Sequence, residues 1–303
     1  MPPESPDARV TIGLRIDVDT FRSTRIGVPR LLSSLQKRGI RGTWYVTLGP
    51  DNMGRHAWRM LKPAFALKML RSGAPSLYGW DIVLRGTLWP GPVISRHLAH
   101  QLRLPAQAEH EVGVHAWDHH RWQVGADRLP DELMNAELER AIAAFTEVYG
   151  REPETAAAPG WRFDERLLAL PASRKFRWRS DARGEAAPFR PLLAGTPLDQ
   201  PQVPVDLPTY DEGVGRGSGA DDRWNQSLLA RISDGKPHVL TIHAESEGGA
   251  KAALFEQFLD AAMAAGHRFE PLGAWLVRHP PSGSARLVHG SIAGREGWLC
   301  TRG

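Results

Sequence analysis

The sequence predicts an α/β protein built on a parallel sheet, either a (β/α) barrel or a doubly wound sheet. Two observations lead to this fold class. Segments with strand patterns and helix patterns alternate from residue 11 to residue 265. The chain of 303 residues, 42% of them hydrophobic, is also long enough to bury a large core. In both architectures functional residues collect where the parallel strands end, so polar side chains that follow a strand are the first candidates.

Each element is predicted from its own pattern. Short runs rich in β-branched and aromatic residues predict strands, and apolar residues at near-helical spacing predict helices. The predicted strands are 11–18, 42–49, 111–116 and 238–244, and the predicted helices are 28–37, 130–149 and 250–265. Residues 188–219 are rich in Pro and Gly and predict irregular loops around a short strand with the sequence QVPVDL.

Composition narrows the class of protein. The chain has no apolar run of the length of a signal peptide or a membrane span, which predicts a cytosolic protein. The single cysteine, Cys300, excludes an internal disulfide and a zinc site of several thiolates, so a metal would need His and carboxylate ligands. The formal net charge of +4 favours an anionic partner, and nucleic acid, phosphate and acidic lipid all remain open.

The segment 55–80 is basic and aromatic. It has no acidic residue, and its cations alternate with Trp, Phe, Tyr, Leu and Met. This composition is typical of a membrane-facing surface, although an insertion that packs its apolar residues on the barrel would show it too. The prediction is a single domain over 1–303, with 51–95 forming a lid or membrane-facing insertion after the second strand. The cations of the segment are Arg55, Arg59, Lys62, Lys68 and Arg71.

Two aspartates stand at the end of the first predicted strand. Asp17 and Asp19 in LRIDVDTF are two residues apart, so a strand directs both to the same side. Two like charges so placed repel each other unless a cation or a shared proton compensates them. Alternatively, they cap the next helix or pair with Arg15, Arg22 or Arg25.

Histidines stand at the ends of two further predicted strands. His115 and His119 follow the run EVGV at the spacing i, i+4, which would bring both rings to one side of a helical turn. Such a pair is a weak metal signal alone, and its position at the same edge as Asp17 and Asp19 strengthens it. His243 ends the strand HVLTIH and is a candidate acid or base near neutral pH, although a lone core histidine would be unremarkable.

These residues carry a resemblance to a known family. The ordered motifs LRIDVD, HAWDH, AAPGW, RSDARG and LTIHAE resemble those of the NodB-type polysaccharide deacetylases, metal-dependent amidases on a distorted (β/α) barrel. Longer strings are similar to one branch of that family, which removes a formyl group from a lipid-linked amino sugar. These strings are GLRIDVDTFRSTRIGVPRLL, GPDNMGRHAWRMLKP, SLYGWDI, EVGVHAWDHHRW, PFRPLL and SIAGREGWL.

The resemblance implies a role for the first two motifs. Asp17 matches the general base and Asp19 the carboxylate ligand of the metal, while His115 and His119 match the two histidine ligands. The metal would be a divalent ion, with Zn, Mn, Co, Ni and Fe all compatible with this ligand set.

The third motif departs from the family in one position. Ala157 stands where the family carries an arginine that holds the catalytic base, so Arg162 or Arg183 is expected to replace it. Gly160 matches the residue whose N–H binds the oxyanion, and Trp161 is expected to contribute to the same oxyanion and substrate region.

The last two motifs complete the implied reaction. Asp181 matches the fourth-motif acid, and His243 the histidine that protonates the leaving amine. The implied substrate is 4-deoxy-4-formamido-L-arabinose on undecaprenyl phosphate. The products would be formate and the amino-sugar lipid used in lipid A modification and polymyxin resistance.

The resemblance also implies a place in the cell. The enzyme would lie peripherally on the cytoplasmic face of the inner membrane, with no nucleic-acid partner. Deacetylation of another N-acylated sugar is the nearest alternative. A non-haem iron oxygenase and a non-enzymatic binder of lipid or nucleic acid are weaker ones, because neither explains the motif set on an α/β chain.

Overall fold

The computed structural model of the protein describes residues 10–55, 86, 89–213, 221–292, 295 and 297–303. Most of the predicted insertion 51–95, including nearly all of its basic, aromatic segment 55–80, lies outside the described residues. The insertion and its membrane-facing role therefore stay predictions. The strands, in chain order, are β1 (Thr11–Val18), β2 (Thr43–Thr47), β3 (Glu111–Ala116), β4 (Thr155–Ala156), β5 (Trp178–Arg179), β6 (Arg190–Leu193), β7 (Thr196–Pro197), β8 (His238–His243), β9 (Arg268–Glu270), β10 (Ser284–Ala285), β11 (Leu287–Gly290) and β12 (Leu299–Arg302).

One parallel sheet dominates the described part of the chain. Its strands follow the order β5-β4-β3-β2-β1-β8, and β9 pairs with the start of β1. Every pairing in this sheet is parallel, and the sheet curls into a half-barrel, as the predicted fold class requires. Because β1 lies between β2 and β8, the ends of these strands meet at one edge.

Helices cover the outer face of the sheet. Among the described residues, no helix is both long enough and apolar enough to cross a membrane. The helices are α1 (Val28–Gln36), α2 (Ile94–His97), α3 (Ala99–Gln107), α4 (His119–Gly125), α5 (Asp131–Tyr149), α6 (Glu165–Ala169), α7 (Tyr210–Gly213), α8 (Asp221–Ile232), α9 (Ala252–Ala264) and α10 (Leu272–Arg278).

The predicted elements are confirmed with small changes at their ends. The four predicted strands are β1, β2, β3 and β8, and the three predicted helices are α1, α5 and α9. The short strand predicted in QVPVDL is wrong. In the described structure, Gln202 and Val205 form only isolated bridges, for example to Arg179 and Arg183. Prolines on both sides of Val203 remove the N–H groups that a regular ladder would need.

Strand β1 has one apolar face and one polar face. Its outer side chains belong to the large apolar core that the helices complete. They are Ile12, Leu14, Ile16 and Val18, all without solvent exposure. The alternate residues Gly13, Arg15 and Asp17 point into the concave side of the sheet. The concave side therefore holds a buried charge pair instead of a purely apolar filling.

A π-helical turn, Ser23–Gly27, packs tightly beneath the end of β8. A Cβ atom on Gly27 would lie 2.2 Å from the carbonyl oxygen of Ala244, so only glycine fits there. The Ala244 amide in turn donates to the Asp17 carbonyl oxygen. This close approach fixes the residue that follows His243 against the end of β1.

Candidate metal centre and active site

Asp17 and His243 lie side by side on neighbouring strands. In the register of β1 with β8, Asp17 is opposite His243, and in the register of β1 with β2 it is opposite Tyr45. The predicted base and the predicted acid thus leave the same edge of the sheet. The strand pairing brings them together although they are separated by more than two hundred residues in the sequence.

A buried arginine holds both carboxylate oxygens of Asp17. Arg15 Nε donates to Oδ1 at 2.8 Å and Nη2 donates to Oδ2 at 2.7 Å. Arg15 is fully buried, Asp17 is 2% exposed, and Arg15 Nη1 donates to the Ser180 carbonyl oxygen. Burial alone would raise the pKa of Asp17, but the Arg15 guanidinium outweighs it, with help from His115 and His243, and lowers the pKa.

This pair corrects the expectation about the missing third-motif arginine. Arg15, two residues before Asp17 on the same strand, occupies the position expected for Arg162 or Arg183. Arg183 is instead bound to Glu212, at 2.9 and 3.1 Å, and Arg162 lies over the Trp298 ring. The spacing of two residues in a strand was the available signal, since it places Arg15 and Asp17 on one face.

Asp19, His115 and His119 converge into one cluster. One ligand atom from each lies within 4.8 Å of the others. Asp19 Oδ1 is 3.3 Å from His115 Nε2, and Asp19 Oδ2 is 3.3 Å from His119 Nε2. His115 Nε2 also lies 3.9 Å from Asp17 Oδ2, so the two aspartates flank the same imidazole.

The two histidines are brought together by a strand end, and the predicted helical turn is wrong. His115 lies in β3, where the pairing with β2 shifts between Val46 and Thr47, and this irregularity redirects the side chain. His119 is the first residue of α4, whose start is capped by Asp118 through a hydrogen bond from the Arg121 amide. Their rings are 5.2 Å apart.

The cluster has the chemistry of a cation site. His115 Nδ1 lies 2.7 Å from the Ala157 carbonyl oxygen, so Nδ1 carries the proton and the Nε2 lone pair faces Asp19. Asp19 Oδ1 is buried and has no hydrogen-bond donor among the described residues. A lone pair facing an unsatisfied carboxylate oxygen is unfavourable unless a proton or a metal cation lies between them. A divalent transition metal fits this set of one carboxylate and two imidazoles.

The segment after β8 supports the end of β1. Glu245 Oε1 accepts hydrogen bonds from the amides of Asp19 and Thr20, at 3.1 and 2.9 Å, and from the Thr20 hydroxyl at 2.9 Å. Glu247 Oε2 accepts from the His243 amide at 2.9 Å. Sequence reasoning assigned no role to Glu245, because its partners lie more than two hundred residues away.

His243 lies in a strongly negative environment. Burial opposes its protonation, but Asp211, followed by Asp19, Asp17 and Glu247, outweighs burial and raises the pKa of His243 to about 9. Asp211, at the start of α7, has the largest effect of these carboxylates on the pKa of His243. Sequence reasoning missed this residue. Its segment, PTYDEG, has no motif spacing relative to His243, so only the fold could reveal the pair.

Gly160 and Trp161 form a tight turn beside the cluster. Both have left-handed backbone conformations, with φ of 59° and 56°. A Cβ atom on Gly160 would lie 2.7 Å from the Gln123 side chain, so the position favours glycine for space as well as for conformation. Trp161 is 1% exposed, and its ring is part of the concave-side packing.

Asp181 lies deeper than the other predicted site residues. It is fully buried, and Arg179 Nε and Nη2 donate to its carboxylate at 2.6 and 3.1 Å. Gln202 and the Ala158 amide are its other donors, at 3.0 and 2.8 Å. The structure thus connects Asp181 to the segment leading into the Gly160 turn, whereas Asp17, Asp19, His115, His119 and His243 form the cluster at the edge of the sheet.

The site and fold together define a class of protein. The site has one carboxylate and two imidazoles that can hold a metal, next to a second carboxylate and a third imidazole. This set of side chains is typical of a metal-dependent hydrolase. The family model for polysaccharide deacetylase matches residues 11–177, and the chain belongs to this family.

Full-length relatives extend this assignment. The chain is 43% identical, over 95% of its length and 93% of the relative, to a protein of Shewanella sediminis (strain HAW-EB3). It is 33% identical, over 91% of its length and 96% of the relative, to a protein of Wigglesworthia glossinidia brevipalpis. Both carry the name probable 4-deoxy-4-formamido-L-arabinose-phosphoundecaprenol deformylase ArnD.

A solved structure agrees on the fold. The crystal structure of a protein from Mycobacterium smegmatis, described as a polysaccharide deacetylase, superposes with a TM-score of 0.62 at 17% identity. The match covers 96% of this chain and 98% of that one. At this identity the similarity supports the architecture alone.

The buried pair of Arg15 and Asp17 leads to a stability prediction. Arg15→Met leaves the Asp17 carboxylate buried without its cation, and we expect the free energy of unfolding to fall by about 3 to 5 kcal/mol. Urea unfolding of metal-free protein measures this loss. Adding Asp17→Leu to Arg15→Met should recover much of it, because no buried charge then remains unpaired.

The control for this prediction is an exposed ion pair. Arg41 lies 3.4 Å from Glu109, with side chains 57% and 82% exposed. Arg41→Met should therefore change the free energy of unfolding by less than about 1 kcal/mol. Equal losses for Arg15→Met and Arg41→Met would contradict the central role of the buried pair.

Proposed function

We propose that this protein hydrolyses the formamide of 4-deoxy-4-formamido-L-arabinose linked to undecaprenyl phosphate. Water adds to the formyl carbon, the C–N bond breaks, and the products are formate and a free 4-amino group. The observation that carries the proposal is the cluster of Asp19, His115 and His119 beside Asp17 and His243. The relatives that share 43% and 33% of its residues support the choice of substrate.

Asp19, His115 and His119 are the residues that would hold the metal. A divalent ion bound there supplies a Lewis acid for the formyl oxygen and lowers the pKa of the attacking water. The His115 ring is fixed for this task by its contact with the Ala157 carbonyl oxygen. Glu245 fixes the backbone of Asp19, so the carboxylate keeps its direction.

Asp17 and His243 carry the two proton transfers. Asp17 is ionised and held by Arg15, so its carboxylate can accept a proton from water without rotating away. His243, whose pKa is raised most by Asp211, is the proton donor to the departing nitrogen. The expelled amine then leaves without passing through an amide anion.

Gly160, Trp161 and Asp181 form the proposed oxyanion side of the site. The Gly160 N–H is the donor for the oxyanion that develops on the formyl group. Trp161 supports this turn from the concave side of the sheet. Asp181 is a positioning residue, because its carboxylate accepts from the Ala158 amide and does not lie in the metal cluster.

The family name suggests deacetylation as an alternative reaction. A polysaccharide deacetylase removes an acetyl group, and the same catalytic groups serve either acyl group. Release of formate and acetate from matched N-formyl and N-acetyl sugars separates the two. Greater turnover of the acetylated sugar would replace the proposed deformylase with a deacetylase.

Membrane association is part of the proposal. The relatives' name describes a lipid-linked substrate, so the active site must reach a lipid at a membrane surface. The basic, aromatic segment 55–80 has the composition of an interfacial contact. We infer peripheral binding at the cytoplasmic face of the inner membrane.

Loss of one metal ligand tests the catalytic centre. We expect His119→Ala to lose bound metal after dialysis and to lose formate release together, because only two protein ligands would remain. Elemental analysis and a formate assay measure both. His100→Ala is the control, since His100 is an exposed histidine on α3. Full metal occupancy in His119→Ala would show that the ligand set is wrong.

The pH profile tests the proton donor. Activity should fall as pH rises through the pKa of His243, which a bound cation shifts below its metal-free value. Asp211→Asn removes the carboxylate that contributes most to the raised pKa, so the alkaline limb of kcat should move to lower pH. The variant and the wild type should differ least at the acidic end of the profile.

Two variants control this measurement. Asp199→Asn removes a carboxylate that is 98% exposed and should leave the profile unchanged. His243→Ala should lower kcat by about a hundredfold and abolish the alkaline limb. An alkaline limb that persists unchanged in His243→Ala would exclude His243 as the proton donor.

Vesicle sedimentation tests the membrane contact. Replacing the five cations of segment 55–80 with glutamine should weaken binding to anionic vesicles, since each contributes about 1 kcal/mol near an anionic surface. Binding of the wild type should also fall with salt. A variant with the same net charge change elsewhere is the control, and equal weakening in it would contradict a local contact. Its replaced residues are the exposed Arg41, Arg128, Arg140, Arg177 and Arg278.

A further inference from the structure

Three guanidinium groups surround the ring of Trp161. The Cζ atoms of Arg15, Arg183 and Arg295 lie 5.0, 4.6 and 4.6 Å from the ring. Asp17 neutralises Arg15. The other two arginines share a single carboxylate through hydrogen bonds.

Glu212 is the shared carboxylate. Arg183 binds both of its oxygens, and Arg295 Nη1 donates to the same Oε1 at 2.9 Å. Two guanidinium groups thus divide the hydrogen-bonding capacity of one carboxylate. Burial lowers the pKa of Arg183 against the pull of Glu212, and the like charges of Arg295 and Arg15 act in the same direction as burial. An anion at this place would relieve the repulsion.

Arg295 lies at the proposed reaction site. Its Nη2 would be 3.2 Å from a Cβ atom on Gly160, the residue proposed to bind the oxyanion. Burial would raise the pKa of Asp211, whereas the charges of His243 and then Arg295 lower it, so Arg295 is also close to the partner of His243. The Arg295 guanidinium therefore lies beside the groups that would handle the formamide.

The two arginines differ in the N–H groups that Glu212 leaves without an acceptor. The Arg183 side chain is only 3% exposed, and within the described part of the chain its Nε atom is buried without a hydrogen-bond acceptor. Arg295 is 18% exposed, and among the described residues it donates a hydrogen bond only to Glu212. Arg295 is therefore the arginine that a ligand with several oxygens can reach, and Arg183 holds the shared carboxylate behind it.

We propose that Arg295, supported by Arg183, binds the phosphodiester of a glycosyl phosphate substrate. The inference rests on the proposed function, in which the sugar is linked to a lipid through phosphate. A guanidinium matches phosphate oxygens with two parallel hydrogen bonds.

The geometry of the sugar requires such a site. The relatives' name places the formamide on C4, and a glycosyl phosphate is linked through the anomeric carbon. These positions lie at opposite ends of one six-membered ring, so the phosphate must be recognised about one ring away from the oxyanion donor. The N–H groups of Arg295 begin next to the Gly160 turn, and the side chain extends from there to Glu212, so Arg295 is the described cation within about one ring of the oxyanion donor.

Two water-soluble substrates test the site. One is the formamido sugar as a methyl phosphodiester, and the other is its methyl glycoside without phosphate. We expect the wild type to prefer the phosphodiester in kcat/KM by about tenfold or more, the order expected for a charge-assisted contact. Arg295→Gln should remove most of that preference, and Arg295→Lys, which keeps the charge but not the fork, should retain part of it.

Arg302→Gln is the matched control, since Arg302 is an exposed arginine over the Phe189 ring. It should keep the full preference. A wild type without preference, or an equal loss in Arg295→Gln and Arg302→Gln, would overturn the proposal. Unchanged melting temperatures show that the variants remain folded.

A binding measurement separates this proposal from the proposed function. Dimethyl phosphate should raise the melting temperature of the wild type more than that of Arg295→Gln, whether or not any substrate is turned over. Failure of turnover with this thermal effect intact would remove the deformylase activity but not the anion site. No difference in the thermal effect would overturn the site.

An anionic lipid headgroup presents the same phosphodiester chemistry. Sedimentation with phosphatidylglycerol vesicles distinguishes the two sources. If Arg295→Gln weakens vesicle binding and leaves the substrate preference intact, Arg295 contacts membrane lipid and the proposal is wrong. If it removes the preference and leaves vesicle binding intact, the substrate phosphate is the ligand.

Discussion

The buried pair of Arg15 and Asp17 is the interaction on which the concave side of the sheet depends. A guanidinium without solvent must be matched in charge and in hydrogen bonds, and the protein supplies both. Asp17 balances the charge, and the Ser180 carbonyl oxygen accepts a further hydrogen bond from Arg15. The Tyr45 and Trp161 rings pack against the guanidinium. These partners come from β1, β2, the Gly160 turn and the segment after β5. The pair thus fixes four parts of the chain relative to one another.

The same pair explains how two neighbouring aspartates can have different tasks. Asp17 has a permanent cation in Arg15, so it stays ionised and fixed in direction. Asp19, one residue beyond the strand, faces only histidines and keeps a buried oxygen without a donor in the described structure. One carboxylate is therefore satisfied by the fold, and the other is left for an exchangeable cation. This division matches a base next to a metal ligand.

The segment after β8 connects the two sides of the proposed reaction. Ala244 donates to Asp17 through the backbone, Glu245 holds the amide of Asp19, and Glu247 holds the amide of His243. A shift of this segment would move Asp19, the proposed metal ligand, and His243, the proposed proton donor, together. Gly27 packs directly against the Ala244 carbonyl oxygen, and this close contact holds the segment after β8 in place. Hydrogen bonds to backbone groups at the ends of β1 and β8 thus add to the side-chain pair of Arg15 and Asp17 in holding this part of the site.

The sequence by itself determined the alternation of strands and helices, the family motifs, and the five residues at the edge of the sheet. Each of these depends on short-range periodicity or on an ordered set of motifs, which can be read without knowing which segments meet. Tertiary structure alone decided the partners of these residues. The pairing of Asp17 with Arg15 was one of several options in the sequence, and the place of His115 in a shifted strand replaced the predicted helical turn. Asp211 beside His243 and Arg295 beside Gly160 had no signal at all. Electrostatic partners are chosen by distance in space and by burial, and neither quantity exists before the strands have paired.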